Sequence, residues 1–179
     1  FLTPGGARSQ ERPLYISPLV SYDSFRTPGF DSGVDFGAAA GLRISPSIAV
    51  SASVATGTRT VMFDVIGGSE SLSARIISAH ASLEFLLLGR PGAAGLSAAI
   101  GAGRISSTIR AHTVSLGALG SLLIPEQSAA RTFFEAGLAG TIPLAPDVAL
   151  VMLPSVRFYS PISSSPDLSL SGGLRVGVL

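Results

Sequence analysis

The sequence predicts an all-β chain, an antiparallel up-and-down barrel that crosses a membrane with its strands, and three observations carry the prediction. Val34, Phe36, Ala38, Ala40, Leu42 and Ile44 alternate with Asp35, Gly37, Ala39, Gly41, Arg43 and Ser45, a period of two that only a strand turns into two faces. The second face is built of Gly, Ala and Ser with sparse charge, as the lining of a narrow interior would be, while the first is too continuously apolar for water. That inversion is what a membrane-spanning barrel requires. The chain is 46% hydrophobic with a mean hydropathy of +0.52, yet no apolar run reaches the ~18 to 20 residues of a membrane helix.

Composition excludes several other classes. A soluble domain of 179 residues would carry about twice the 13% charge found here. A net charge of +1 leaves no basic stripe for nucleic-acid phosphates. All twelve basic residues are Arg, a bias expected of a GC-rich genome and also of bidentate anion contacts. With no Cys, disulfides and thiolate metal sites are ruled out.

The first segment, 1–12, stands apart from the barrel expected over 13–179. Ala7-Arg8-Ser9 fits the small-x-small pattern of a signal-peptidase site, so an export-signal remnant or a flexible periplasmic arm is expected there. The first strand, about 13–25, alternates Leu14, Ile16, Pro18, Val20 and Tyr22 with Tyr15, Ser17, Leu19, Ser21 and Asp23. A break at 26–32 precedes the second strand, 33–45, and Pro46-Ser47 joins it so tightly to the third that the two must be antiparallel. In the third strand Ile48, Val50, Ala52 and Val54 share one parity and Val61, Phe63 and Val65 the other, which predicts a β-bulge near Thr56-Gly57-Thr58. The fourth strand runs to Leu88 with Ile76, Ser78, His80, Ser82 and Glu84 on the polar face. A fifth begins near 95, a sixth near Ser128, a seventh covers Val148 to Tyr159 and an eighth Leu168 to Leu179.

Breaks then alternate short and long. Turns at 46–47, 89–94 and 143–147 are expected on the periplasmic side, and connections at 26–32, 66–71, 107–127 and 160–166 outside. Eight strands follow if 107–127 is a long external hairpin or lid. Val114, Leu116, Ala118, Leu122 and Ile124 also alternate, and two further barrel strands there would make ten.

At the last strand a resemblance becomes specific. Ser171-Gly172-Gly173-Leu174-Arg175-Val176-Gly177-Val178 fits the polar-x-Gly-x-x-apolar-x-apolar pattern of the barrel-assembly signal, carried by Ser171, Gly173, Val176 and Val178. Residues 13–179 resemble the small eight-stranded bacterial outer-membrane barrels, the class of the OmpA transmembrane domain and OmpX. The resemblance implies an outer-membrane location and the barrel-assembly machinery, outer-membrane lipid and other envelope proteins as partners.

Parity sends most charges inward. Asp23, Asp35 and Arg157 fall near the external end, His80 and Glu135 near the middle, and Arg43, Glu84 and Arg175 near the periplasmic end. Each layer has both signs, and an eight-stranded barrel is just wide enough to be filled by side chains, so a salt-bridge plug is expected; a narrow gated pore would need those pairs to part. Arg75 and Arg104 have outward parity near the external end, with Arg59 and Arg110 just beyond, where lipopolysaccharide phosphates are a possible contact. No cofactor motif is present: Gly101-Ala102-Gly103 lacks the third glycine and helix of a dinucleotide site, and His80 and His112 cannot make a metal cluster.

Three function classes remain. One is a non-enzymatic structural or interaction barrel, an accessory subunit of an envelope assembly, favoured by Ala and Gly on the outward face. Another is a membrane lipid hydrolase, since His80, Ser82 and Glu84 share a face and lipid A deacylases of similar size use these residue types. Positions two apart on a strand lie about 7 Å apart, too far for a ready His–Ser hydrogen bond. A soluble lipocalin-like binder would need its apolar face turned inward.

Overall fold

The computed structural model describes residues 13–24, 31–65, 68–115, 120–160 and 166–178. The segment 1–12 and Leu179 lie outside the described residues, as do most of the expected connections 26–32 and 160–166. Ten strands follow one another: β1 (Leu14–Ser24), β2 (Gly33–Ser45), β3 (Ile48–Val65), β4 (Gly68–Leu88), β5 (Gly95–Ile109), β6 (His112–Ser115), β7 (Ser121–Ile124), β8 (Gln127–Ala145), β9 (Val148–Ser160) and β10 (Asp167–Gly177). Eight of them close a barrel in the order β1-β10-β9-β8-β5-β4-β3-β2, every pairing antiparallel, while β6 and β7 form a separate two-stranded sheet. Of the alternating residues within 107–127, Val114, Leu122 and Ile124 belong to this separate sheet and Leu116 and Ala118 lie outside the described residues; the ring has eight strands.

Following the register from Arg43 through Ala49, Glu84, Ala99, Gly137, Ser155, Ser169 and Asp23 returns to β2 at Gly33, ten residues from the start. A stagger of this size over eight strands tilts them about 40° from the barrel axis. Along β2, Val34 to Ile44 therefore climbs roughly 25 Å, the height of a membrane barrel's apolar band. Both faces obey the parity read from the sequence. Phe36 and Ile44 are each 62% exposed, whereas Asp35, next to Phe36 on the same strand, is fully buried. Outward-facing Tyr22, Phe36, Phe134 and Phe158 gather toward the long-loop end of this band, an aromatic girdle of the kind that sits at a membrane interface.

The expected bulge at Thr56-Gly57-Thr58 is absent, because β3 pairs with β4 without a register shift from Ile48 to Val65. Shifts occur instead at Arg43/Ser45, Leu86/Leu88 and Pro143/Ala145, all beside the short turns. The polarity changes in mid-strand for a different reason: β3 leaves the apolar band. Above Val54 its outward side chains become Thr56, Thr58 and Thr60, and its inward ones end in Val61, buried beside its β4 partner Leu72. Beyond the band the outward face of β3 thus turns to threonine while Val61 is buried on its inward face.

Candidate functional site

The lumen holds two layers of charge with a polar chamber between them. In the layer nearer the long loops, Arg157 on β9 bridges two carboxylates, its Nη1 lying 2.8 Å from Asp23 Oδ1 and its Nε donating to Glu135 Oε2 at 3.2 Å. Ser155 donates to the other oxygen of Glu135. His80 Nε2 stands 4.0 Å from Glu135, and its Nδ1 is 2.9 Å from Ser53 Oγ across the β3–β4 register. Asp167, the β9–β10 partner of Arg157, is also buried. Desolvated carboxylates are tolerable only in such company.

An apolar cap closes this layer. Ile76, Ile105, Phe133 and Tyr159 pack as one buried cluster, and the Arg157 guanidinium lies 5.0 Å from the centre of the Phe133 ring, a cation–π contact in a water-poor site. Alongside it Arg59 Nη2 meets Asp35 Oδ1 at 2.8 Å with both side chains almost wholly buried. Arg59 thus lies inside the barrel, which corrects its expected position on the external surface with Arg75, Arg104 and Arg110. Two glycines make the room: a Cβ at Gly33 would crowd the Arg59 guanidinium and one at Gly57 would fall on Asp35 Oδ1.

The second layer sits near the short turns. Arg175 Nη2 donates to both carboxylate oxygens of Glu84, at 2.8 and 3.0 Å. The guanidinium also lies 4.1 Å from the centre of the Tyr15 ring, whose hydroxyl donates to Glu84 at 3.4 Å. Gly41, opposite Tyr15 on β2, leaves the lumen wall bare where a Cβ would overlap that ring. Arg43 donates to the Pro46 carbonyl at 3.3 Å and lines the same mouth.

Between the layers lies a cavity of about 80 Å³ lined by serines, among them Ser17, Ser51, Ser53, Ser78, Ser82 and Ser171, and by apolar side chains that include Leu19, Val151 and Leu153. That is room for several waters, with the serine hydroxyls as partners. Two recesses of about 50 and 30 Å³ open toward the short turns, and Arg175 borders all three spaces. Arg157 and Arg175 therefore bound the chamber at its two ends.

The proposed hydrolytic pairing of His80 with Ser82 is not formed. Ser82 Oγ is 2.7 Å from Ser51 Oγ, whereas His80 engages Ser53. Glu84 is committed to Arg175. Among the described residues no group of three His, Cys, Asp or Glu side chains could hold a metal ion. Sequence reading missed Tyr15, Ser53, Arg59 and Asp167 as members of the lumen network; the glycines at 33, 41 and 57, each facing a bulky inward side chain, were the available signal.

Outside the lumen, Arg75 and Arg104 face outward and are exposed, and Arg110 is exposed between β5 and β6. Ser171, Gly173 and Val176 lie on β10, which closes the ring against β1, and Val178 just beyond it donates its backbone N–H to the Leu14 carbonyl at 2.9 Å.

No protein-family model matches this chain, and no curated protein matches it in sequence. Solved structures do. Neisserial surface protein A, NspA, aligns with a TM-score of 0.52 at 14% identity over 93% of this chain and 97% of its own. The N-terminal β-barrel domain of Pseudomonas aeruginosa OprF aligns at 0.49 and 13% identity over the same shares. The attachment invasion locus protein Ail of Yersinia pestis aligns at 0.49 and 15% identity over 90% of this chain and 95% of its own. The likeness to the Neisserial protein is one of fold: this chain has the architecture of a small eight-stranded outer-membrane β-barrel.

Proposed function

We propose that the chain is a non-enzymatic barrel of the bacterial outer membrane with a structural or interaction role, an accessory subunit of an envelope assembly whose lumen is plugged by its own charged network. The short turns then face the periplasm and the long loops the exterior, and β10 carries the signal read by the barrel-assembly machinery. The observation that supports a partner is on the outward face. Ala40, Ala52, Ala81 and Ala102 are successive register partners across β2, β3, β4 and β5, all four exposed, with exposed Ala38 and Ala79 beside them. This smooth strip runs from the apolar band at Ala40 to its long-loop edge at Ala102, the register partner of Phe134. Small side chains let another membrane-embedded surface approach closely and gain dispersion contacts that lipid chains do not give.

Native electrophoresis of outer membranes in mild detergent tests the reading. The barrel is expected in a complex well above its own 18.1 kDa, and Ala52→Phe with Ala81→Phe should release it while the barrel stays folded. A wild-type barrel that migrates alone, or one that conducts ions in planar bilayers with Arg157 and Arg175 intact, would contradict it.

A further inference from the structure

At the short-turn end of the lumen three guanidiniums come together from separate parts of the chain. Arg43 lies near the end of β2 and donates to the Pro46 carbonyl, and Arg175 reaches the mouth from β10, engaged with Glu84. Arg90 sits on the turn after β4, where Gly89 and Gly92 take φ of 100° and 75°, values open to glycine. The Ala93 N–H closes that turn on the Arg90 carbonyl at 3.1 Å. All three arginines line the recess of about 30 Å³ with Ser47, Ser97 and Thr141, and Glu84 is the one carboxylate among its described lining residues. The adjoining recess of about 50 Å³ shares Arg43, Gly92, Ala93, Thr141 and Arg175 with it. Most of the remaining wall there is apolar, made by Pro143, Ala145, Pro146, Val148 and Ala149, with Asp147 as its carboxylate.

We propose that the paired recesses bind the free carboxyl end of a peptide whose last residue is small and apolar, the carboxylate among Arg43, Arg90 and Arg175 and the side chain in the apolar recess. Three features point to that occupant. Three guanidiniums against one carboxylate make the smaller recess cationic, planar forks match carboxylate oxygens, and the low-dielectric walls of a mouth focus the charge. The shared residues set the two recesses side by side, so one terminal residue spans both, whereas an inorganic anion fills only the first. Their volumes suit a carboxylate and a side chain of a few carbon atoms. Asp147 lines the larger recess alone, away from the carboxylate. The periplasmic side of the site rests on the orientation proposed above; its chemistry does not rest on the accessory role.

Titration of the full chain in neutral detergent, followed by backbone amide NMR, tests it. The probes are N-acetyl-Gly-Ala-Val, the same peptide amidated at its carboxyl end, and acetate. Saturable shifts at Gly92, Ala93 and Thr141 are expected with the free acid, with affinity about tenfold lower in Arg43→Gln/Arg90→Gln and unchanged in Arg110→Gln. Heat-dependent gel mobility checks that each variant is folded. Equal binding of the amide or of acetate, equal binding by the double variant, or no shift with the free acid would overturn the assignment. Acid and amide are compared on the wild-type chain alone, which decides the matter where a variant fails to fold. A barrel that binds the peptide yet migrates alone in native gels keeps this site and loses the accessory role.

Discussion

Arg175 and Glu84, ninety-one residues apart in sequence, meet through two hydrogen bonds of 2.8 and 3.0 Å in the lumen. The pair joins β10 to β4 across the barrel, and each side chain retains only 13% exposure. Glu84→Gln would leave the Arg175 guanidinium without its counter-charge at a desolvated position. A loss on the order of 3 kcal/mol is expected, read as a lower unfolding midpoint in detergent, against almost none for Glu126→Gln on the exposed connection before β8. Equal midpoints would remove Glu84 from the interior.

Arg59 provides an independent check on the lumen. Its ion pair with Asp35 is buried on both sides, so Arg59→Gln strands a carboxylate and should cost about 3 to 5 kcal/mol. Arg110→Gln, at an exposed residue, should shift the midpoint little. The two variants compared in one urea titration discriminate an inward Arg59 from a surface one.

How much of this was legible beforehand follows from what a period of two can carry. The bounds of β2 and the inward parity of Glu84, Glu135 and Arg157 come directly from alternation, because one face of each strand touches lipid. Register does not: that His80 meets Ser53 rather than Ser82 depends on which β3 residue lies opposite, and periodicity is silent about it. Arg59 was misplaced because the Thr56-Gly57-Thr58 polarity change has two readings, a bulge or an exit from the band. Val61 and Leu72, buried partners above that level, decide for the exit.

Glycine positions sharpen the packing claim. A Cβ at Gly57 meets Asp35 and the Val34 carbonyl, whereas at Gly172 the nearest atom is the Val151 carbonyl at an ordinary 3.7 Å. Gly57→Ala should therefore destabilise by about 1 to 3 kcal/mol, and Gly172→Ala should be neutral or slightly stabilising. Thermal melts of the two folded variants check the sign of each.

Ser82 is held by Ser51 at 2.7 Å and His80 by Ser53 at 2.9 Å, and neither is paired with the other. Lipid deacylation in reconstituted membranes is accordingly expected to be the same for wild type, Ser82→Ala and empty vesicles. Hydrolysis lost specifically in the His80 and Ser82 variants would establish the enzymatic alternative.

The central claim is that this chain turns one face of every barrel strand to lipid and the other to a charged lumen. With no native cysteine, single-cysteine nitroxide labels can be placed at positions 34, 36, 38, 39, 40, 42, 43 and 44 of the barrel in lipid bilayers. Oxygen accessibility should peak at 34, 36, 38, 40, 42 and 44 and fall at the odd positions between them. A flat profile, an inverted one, or a chain that stays folded and monomeric in plain buffer would contradict the account.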